Sequence, residues 1–357
     1  MKVMHVIDGL GRGGAETLLM NTIQLLPHDE HIIICLSEDY DFDPMLKKHF
    51  IHYTFPVKNK LRIPFIVFSV RKLIKKHKPD IVHANLLFPG IISKLACPRH
   101  IPLFYTIHSE YSIAYFTKKK LIKWLEKITA RPRHHLIGVS KLVIDDYVKY
   151  IPDSGTRDVL YNFVGEEFFK VNRQLTYKPG LPLRCMAVGN LKSQKNYGYM
   201  LSQFALLNEY PITLDIYGQG SEETDLKKYK TDHALVNVEF KGQADQVEKL
   251  MQHYDLFITC SVTEGFGIAP LEAMAARLPV IVSSIPVFKE IINDAGFFIE
   301  TAKERTGESL SSTLEKIYSG EIILSQHVQT AFERVSEIAS QENYILHLKQ
   351  IYQKYQS

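Results

Sequence analysis

Short apolar runs alternate with amphipathic stretches along almost the whole chain, and the alternation stops once and restarts. In the first half "KVMHVI", "HIIICLS", "DIVHANL", "LFYTIHS", "HLIGVS" and "DVLYNFV" read as strands. Between several of them lie stretches such as "AETLLMNTIQLL" and "PFIVFSVRKLIKKH", apolar at helical spacing. Strands alternating with helices of this length mean βαβ units and a parallel sheet. The stretch 165–183, "GEEFFKVNRQLTYKPGLPL", is polar, carries two prolines and has no period, which marks a connection between domains. The pattern then resumes with "RCMAVGN", "ITLDIYG", "VEFKG", "DLFITC" and "PVIVSS" as strands, with "YGYMLSQFALL" and "ADQVEKLMQHY" as helices between them. The expected fold class is α/β, with two Rossmann-like parallel-sheet domains facing across a cleft. Residues 1–168 form the first domain, 169–335 the second, and a helical tail over 336–357 packs back on the first. A length of 357 residues suits two such domains.

Bulk properties narrow the class. Hydrophobic residues make up 45% and charged residues 23%, ordinary for a globular chain. No apolar run approaches the roughly 20 residues of a membrane span. Met1 and Lys2 lead directly into a strand, and Asp8 interrupts any signal-peptide core. Cys35, Cys97, Cys185 and Cys260 lie far apart, without metal or redox spacing, so reduced thiols in a cytoplasmic protein are expected. Charge is uneven: residues 1–168 carry 24 Lys/Arg against 17 Asp/Glu, and the remainder 19 against 22. A basic first half implies an anionic partner, such as a membrane surface or a phosphorylated acceptor.

Three motifs carry chemistry. Gly9, Gly11 and Gly14 fit a dinucleotide-binding turn between a strand and a helix, and Glu38, 24 residues beyond Gly14, stands where a ribose-binding acid would be needed. "DFD" at Asp41–Asp43 has the spacing of a metal-binding D-x-D, but it sits in the acidic loop "SEDYDFDP", where a solvated loop is the simpler reading. The most distinctive stretch is "TEGFGIAPLEAMAARLPVIVSS", Thr263–Ser284, which follows the strand "DLFITC". Open α/β sheets bind ligands at the carboxyl ends of their strands. Gly265 and Gly267 let backbone N–H groups approach a ligand, and Pro270 suits a first helical turn. A glycine turn opening a helix attracts a diphosphate. Glu264 precedes the turn, and Glu272 lies on the helix, where it either accepts two ribose hydroxyls or only stabilises the helix dipole.

"EGFGIAPLE" resembles the E-x7-E motif of family-4 retaining glycosyltransferases of the GT-B fold. "GGAE" after the first strand, "LYNFV" at the domain join, "AVGNLKSQKN", "YGQG" and "PVIVSSIPVFKEII" stand in that family's order, so the resemblance covers nearly the whole chain. It implies that Glu264 lies by the donor sugar and Glu272 at the donor ribose, with the backbone of Gly265, Phe266, Gly267 and Ile268 near sugar and diphosphate. It makes Lys195 the phosphate lysine, where a fixed ammonium favours the transition state as the leaving diphosphate gains charge. The family's usual Arg five residues before that Lys is Asn190 here, and Lys192 is a possible substitute. His108, at the end of a first-domain strand, is implied near the donor sugar and acceptor hydroxyl. His83 and Asn162 are weaker candidates, His83 reading better as structural. Gly13 and Gly14 would let the first domain's backbone approach the diphosphate.

The resemblance implies transfer of a hexose-type sugar from a nucleotide-diphosphate sugar to a saccharide or lipid-linked acceptor, with retention, in bacterial surface-polysaccharide assembly. No cofactor and no metal are expected. "FTKKKLIKWLEKITARPRHH", Phe116–His135, sets Leu121, Leu125 and Ile128 at helical spacing beside Trp124, among Lys118, Lys119, Lys120, Lys123 and Lys127. That reads as an interfacial helix on an anionic membrane, giving a cytoplasmic protein peripheral on the membrane's inner face, or as a helix packed into the first domain. Nucleic acid is not expected, because no aromatic platform accompanies the basic stretches. Two other functions compete: an NAD-dependent oxidoreductase, argued from Gly9–Gly14, and a non-catalytic sugar-nucleotide-binding protein, argued from Asn190.

Overall fold

The computed structural model describes residues 1–11, 13–57, 62–152, 155–173, 177–301 and 307–355. They divide into two compact units: Met1–Asn162 with Tyr344–Ser357, and Phe163–Asn343.

The first unit is built on seven strands: β1 (Lys2–Ile7), β2 (Glu30–Cys35), β3 (Phe50–Thr54), β4 (Ile81–Asn85), β5 (Leu103–Ile107), β6 (His134–Gly138) and β7 (Thr156–Val159). All pair in parallel, in the order β3-β2-β1-β4-β5-β6-β7. Every residue of β4 and β5 is buried, as expected of parallel strands covered on both faces. The second unit repeats the plan with β8 (Leu183–Val188), β9 (Ile212–Tyr217), β10 (Val238–Gly242), β11 (Leu256–Thr259), β12 (Val280–Ser283) and β13 (Phe297–Ile299). Their order is β10-β9-β8-β11-β12-β13, again all parallel. In each sheet the order reverses once, beside β1 in the first and beside β8 in the second. The crevice at the carboxyl ends of the strands flanking such a reversal is where open α/β sheets hold ligands.

The edges differ most from the sequence expectation. β3 and β13 are additional strands, each at the outside of its sheet, where only part of the side chains is buried and the apolar signal is weak. The last strand of the first sheet ends at Val159 rather than running through "LYNFV". Phe163 and Val164 are buried in the second unit instead, with the Val164 N–H donating to the Ala339 carbonyl at 2.8 Å. The connection stretch includes a short helix, Glu166–Phe169, and 174–176 within it lie outside the described residues.

The tail is two helices, Val328–Ala339 and Gln341–Lys354, which meet at the extended Ser340. The second lies on the first unit. The Thr22 hydroxyl donates to Tyr344 Oη at 3.2 Å, and Tyr352 Oη lies 2.6 Å from His83 Nδ1. His83 Nε2 meets Thr106 Oγ1, also at 2.6 Å, so both ring nitrogens are engaged and the ring is buried, which suits a structural role.

Burial, with the nearby His108, pulls His83 down to about 3. Buried His134 is also pulled down to about 3, by desolvation and then by Lys94, Arg133, Arg131 and His135. These histidines are neutral in the folded chain and take up protons on unfolding at mildly acidic pH. The stability they preserve at pH 7 is therefore lost as pH falls below about 6.5 toward 3. His83 alone should cost the first unit about 2 kcal/mol at pH 5. Urea unfolding at pH 7 and pH 5 should show this loss, and His83→Gln should flatten the pH slope. A midpoint unchanged between the two pH values would contradict it.

The helix Lys120–Thr129 carries its one carboxylate inward. Glu126 is fully buried and pairs with Lys94 of the helix Leu87–Ala96. The opposite face leaves Leu121 63%, Trp124 54% and Ile128 43% exposed, so this apolar stripe is not packed into the first unit, and Leu125 is half-buried rather than part of it.

Candidate functional site

In the second unit the loops following β8 and β11 lie side by side at the order reversal. The β8 loop runs through Gly189 and exposed Asn190 and Lys192, then closes in a single 3-10 turn, Ser193–Lys195. Asn196, at φ +56°, turns the chain into the helix Tyr197–Phe204. The "YGQG" loop after β9 is laid directly on it. The Leu191 N–H donates to the Gln219 carbonyl at 3.0 Å, and the Glu222 N–H to the Leu191 carbonyl at 3.0 Å. A Cβ on Gly218 would stand 2.0 Å from the Gly189 carbonyl oxygen, so only glycine permits this approach.

The β11 loop is tied to the same turn. The Val262 N–H donates to the Gln194 carbonyl at 2.9 Å, and Gln194 Nε2 donates to the Thr263 carbonyl at 2.9 Å. This brings together two residues that are 69 apart in the chain. Lys195 Nζ lies 2.6 Å from Glu264 Oε1. The Ser261 hydroxyl donates to the same oxygen at 2.7 Å, and Gln194 Nε2 reaches Oε2 at 3.4 Å. Glu264 is 8% exposed, so its charge is held by these donors more than by solvent. Ser261 and Gln194 are site residues that the sequence reading passed over, although "SVTEG" places a hydroxyl three residues before the glutamate.

Gly267, at φ +82°, turns the chain into the helix Ile268–Ala275, and a Cβ there would meet Phe288 Cε1 at 2.5 Å. Gly265 and Ile268 are half-buried, while the Phe266 side chain is buried. Glu272 sits in the second helical turn, half-buried. Burial pushes its carboxyl up to about 7, with Glu167 and Glu248 adding repulsion and Lys195 opposing them. A carboxylate accepts a hydroxyl more strongly than a neutral acid does, by about 1 kcal/mol. If Glu272 holds a ribose, donor affinity should strengthen about three- to fourfold as pH rises from 6 to 8. Calorimetry across that range should show the rise in the native chain and its loss in Glu272→Gln. A pH-independent affinity in the native chain would detach Glu272 from the donor.

The first unit contributes a different set. The glycine loop after β1 is fixed by Leu10, whose N–H donates to the Asp39 carbonyl at 3.0 Å and whose carbonyl accepts from the Asp41 N–H at 2.8 Å. Gly13 is half-buried at the N-cap of the helix Gly14–Leu25, and Gly14 is exposed. Two carboxyls flank the loop. Glu16 lies so close to Gly13 that a Cβ there would stand 2.1 Å from its Oε2. Asp8, at the end of β1, is pushed up to about 6 by burial and by Glu16. Among the described residues of this loop, attraction for phosphate comes from helix-start N–H groups and works against these acids.

His108 follows β5, with Nε2 3.0 Å from Oδ1 of Asn85 at the end of β4. Burial pulls it down to about 4, so at neutral pH it is a hydrogen-bonding imidazole without charge. Asn162 is half-buried, and its Oδ1 has no partner among the described residues. Asp43 caps the 3-10 turn Pro44–His49 by accepting from the Met45 N–H at 2.8 Å, which gives the D-x-D a structural use. Among the described residues no group of three His, Cys, Asp or Glu could hold a metal ion.

Two family models match in succession: "Glycosyltransferase Family 4" over residues 12–168 and "Glycosyl transferases group 1" over residues 172–349. The UDP-Gal:alpha-D-GlcNAc-diphosphoundecaprenol alpha-1,3-galactosyltransferase of Escherichia coli is 25% identical, over 95% of this chain and 96% of its own. The O-antigen chain mannosyltransferase RfbU of Salmonella typhimurium is 27% identical, over 63% of this chain and 65% of its own. The crystal structure of Anabaena Alr3699/HepE in complex with UDP and glucose superposes with a TM-score of 0.78 at 18% identity, over 98% of both chains. That likeness extends the shared fold across both units. With the two models together spanning almost all of its length, the chain belongs to the family-4 glycosyltransferases and has their GT-B fold.

Proposed function

We propose that this glycosyltransferase moves a hexose-type sugar, with retention and without a metal, from a nucleotide-diphosphate sugar to a saccharide or lipid-linked acceptor in surface-polysaccharide assembly. The observation that carries the proposal is the Lys195–Glu264 pair, held at 2.6 Å where the second sheet reverses and beside the helix opened by Gly267. Lys195 would meet the diphosphate. The backbone from Gly265 to Ile268 would meet sugar and phosphate, with Glu264 at the sugar and Glu272 at the ribose. Asn190 and Lys192, both exposed on the same loop, are available to the phosphates. In the first unit Gly13, Gly14 and His108 would serve the diphosphate and the reacting hydroxyl. The Salmonella typhimurium and Escherichia coli relatives, named for O-antigen chain and diphosphoundecaprenol-linked transfer, support the acceptor class, and the Escherichia coli name supports a UDP-sugar donor.

In the reaction, the anomeric C–O bond breaks and its electron pair stays on the diphosphate. The acceptor oxygen bonds the anomeric carbon on the same face, and its proton passes to a leaving phosphate oxygen. The chain supplies position and fixed charge. The glycine loop at Gly9–Gly14 then serves a sugar nucleotide, and the oxidoreductase reading falls with the family assignment.

The acceptor side is proposed to meet an anionic membrane through Phe116–His135, where exposed Leu121, Trp124 and Ile128 stand among Lys118, Lys119, Lys120, Lys123 and Lys127. No helix of the described residues is long and apolar enough to cross a membrane. A peripheral position on the cytoplasmic face follows from this reading.

A thermal-shift screen of UDP-, GDP- and ADP-sugars, each with and without a chelator, tests the donor. One class should raise the melting temperature by several degrees at about 100 times its Kd, with the chelator making no difference. NMR of the product anomer tests retention. Slow donor hydrolysis that disappears in Glu264→Ala separates an enzyme from a binding protein. Stabilisation by NAD and by none of the sugars would overturn the reading.

A further inference from the structure

The first unit has a second pocket, at the edge where its strands begin and thus opposite the edge that carries Gly13 and His108. It encloses about 560 Å³. Arg71 enters it from the helix Ile63–His77, Arg99 from the turn after Leu87–Ala96, and Arg131 and Arg133 from the segment leading into β6. No carboxylate belongs to its lining. Lys94 also borders it, but its charge is met by Glu126. Among the described residues none of the four arginines is ion-paired. Arg133 donates to the carbonyls of Cys97 and Pro98 at 3.4 and 3.3 Å, and Arg131 to those of Ile128 and Ala130 at 2.6 Å each. Those bonds hold two guanidinium groups to backbone carbonyls, with no carboxylate partner among the described residues.

Four unpaired guanidinium groups around one cavity repel one another, and an anion relieves that repulsion. Guanidinium forks match phosphate oxygens in pairs. The positive field registers on neighbours: Arg133 and Arg71 act together on the Cys97 thiol, and Lys94, Arg133 and Arg131 help keep buried His134 neutral. We infer that this pocket is a binding site for a phosphate-bearing anion, separate from the donor site. Its rim is apolar on one side. Leu95, 45% exposed, lines it, and Ile128, 43% exposed, immediately precedes the lining residue Thr129 at the end of the lysine-rich helix. A phosphate at a lipid surface would satisfy both features; a soluble phosphate would satisfy the arginines alone. The inference rests on the membrane reading above only for the choice between those two sources.

The test uses the full chain with Arg71→Glu and Arg99→Glu together, two side chains with no bond to lose among the described residues. A charge-matched variant, Lys47→Glu with Lys48→Glu, lies outside the pocket. In one arm, sedimentation with phosphatidylglycerol vesicles is compared with phosphatidylcholine vesicles. In the other, inorganic pyrophosphate is titrated by calorimetry, and any donor-site binding is common to all variants. The pocket variant should lose at least about tenfold in affinity in one or both arms, and the control less than about threefold. Arg71→Gln with Arg99→Gln should fall between. Loss confined to vesicles assigns a lipid headgroup, and loss in pyrophosphate binding assigns a soluble phosphate. Equal behaviour of pocket and control variants in both arms would overturn the inference. Sugar transfer to a soluble acceptor, measured alongside, should be unchanged in the pocket variant. Its absence from the native chain too would count against the donor assignment and leave the binding result standing.

Discussion

Replacing Lys195 by alanine should lower turnover about a hundredfold while the fold persists. A fixed charge aimed at the leaving diphosphate contributes most when charge develops there, and loss of one such donor costs about 2.7–4 kcal/mol in barrier. The structure adds a second consequence. Glu264, buried and bonded to Lys195 at 2.6 Å, would lose its closest donor and be left to those of Ser261 and Gln194. Some of the loss should therefore appear through a misplaced Glu264, and Glu264→Ala should be far from additive with Lys195→Ala. Steady-state kinetics of both single variants and the double variant would show it. Unchanged turnover in Lys195→Ala, or strict additivity, would separate the two residues functionally.

The second large effect concerns stability. Lys94 and Glu126 form a fully buried pair, joined by Tyr147, whose hydroxyl donates to Glu126 Oε2 at 2.7 Å, and by the Tyr105 ring, 4.3 Å from Lys94 Nζ. Burial pulls the lysine down from its ordinary range, and Glu126 opposes that pull. Glu126→Ala strands an ammonium in the core and should cost about 3–5 kcal/mol. The loss should show as a lower urea midpoint for the first unit. Adding Lys94→Met to Glu126→Ala removes the stranded charge and should recover much of it. A double variant no more stable than the single one would argue that packing around the tyrosines, rather than charge, holds this helix.

The same pair explains what the sequence could and could not reveal. The repeat of apolar runs was sufficient for two parallel sheets, because strands buried on both faces carry an uninterrupted signal. It failed at β3 and β13, where half-exposed edges dilute that signal. For the helix Lys120–Thr129 the composition left two placements of the apolar stripe open, and the buried contact of Glu126 with Lys94 fixes the rotation that turns Leu121, Trp124 and Ile128 outward. In the loops after β8 and β11, "EGFGIAPLE" pointed to the segment and Lys195 to its counterpart, but periodicity holds no information about a contact across 69 residues. Ser261, Gln194 and the Asp8–Glu16 pair were missed for that reason: each matters through a neighbour distant in the chain or hidden by a turn.

The first unit is closed by residues that the ribosome makes after the whole of the second unit. Its sheet is complete by Val159, yet His83 Nδ1 meets Tyr352 and the Thr22 hydroxyl meets Tyr344 only after the whole of the second unit has been made. During synthesis the first sheet must wait with that surface uncovered while about 180 further residues emerge and fold. A nascent chain stalled before the helix Gln341–Lys354 should therefore recruit chaperones through the first unit, and emergence of that helix becomes the step that seals it.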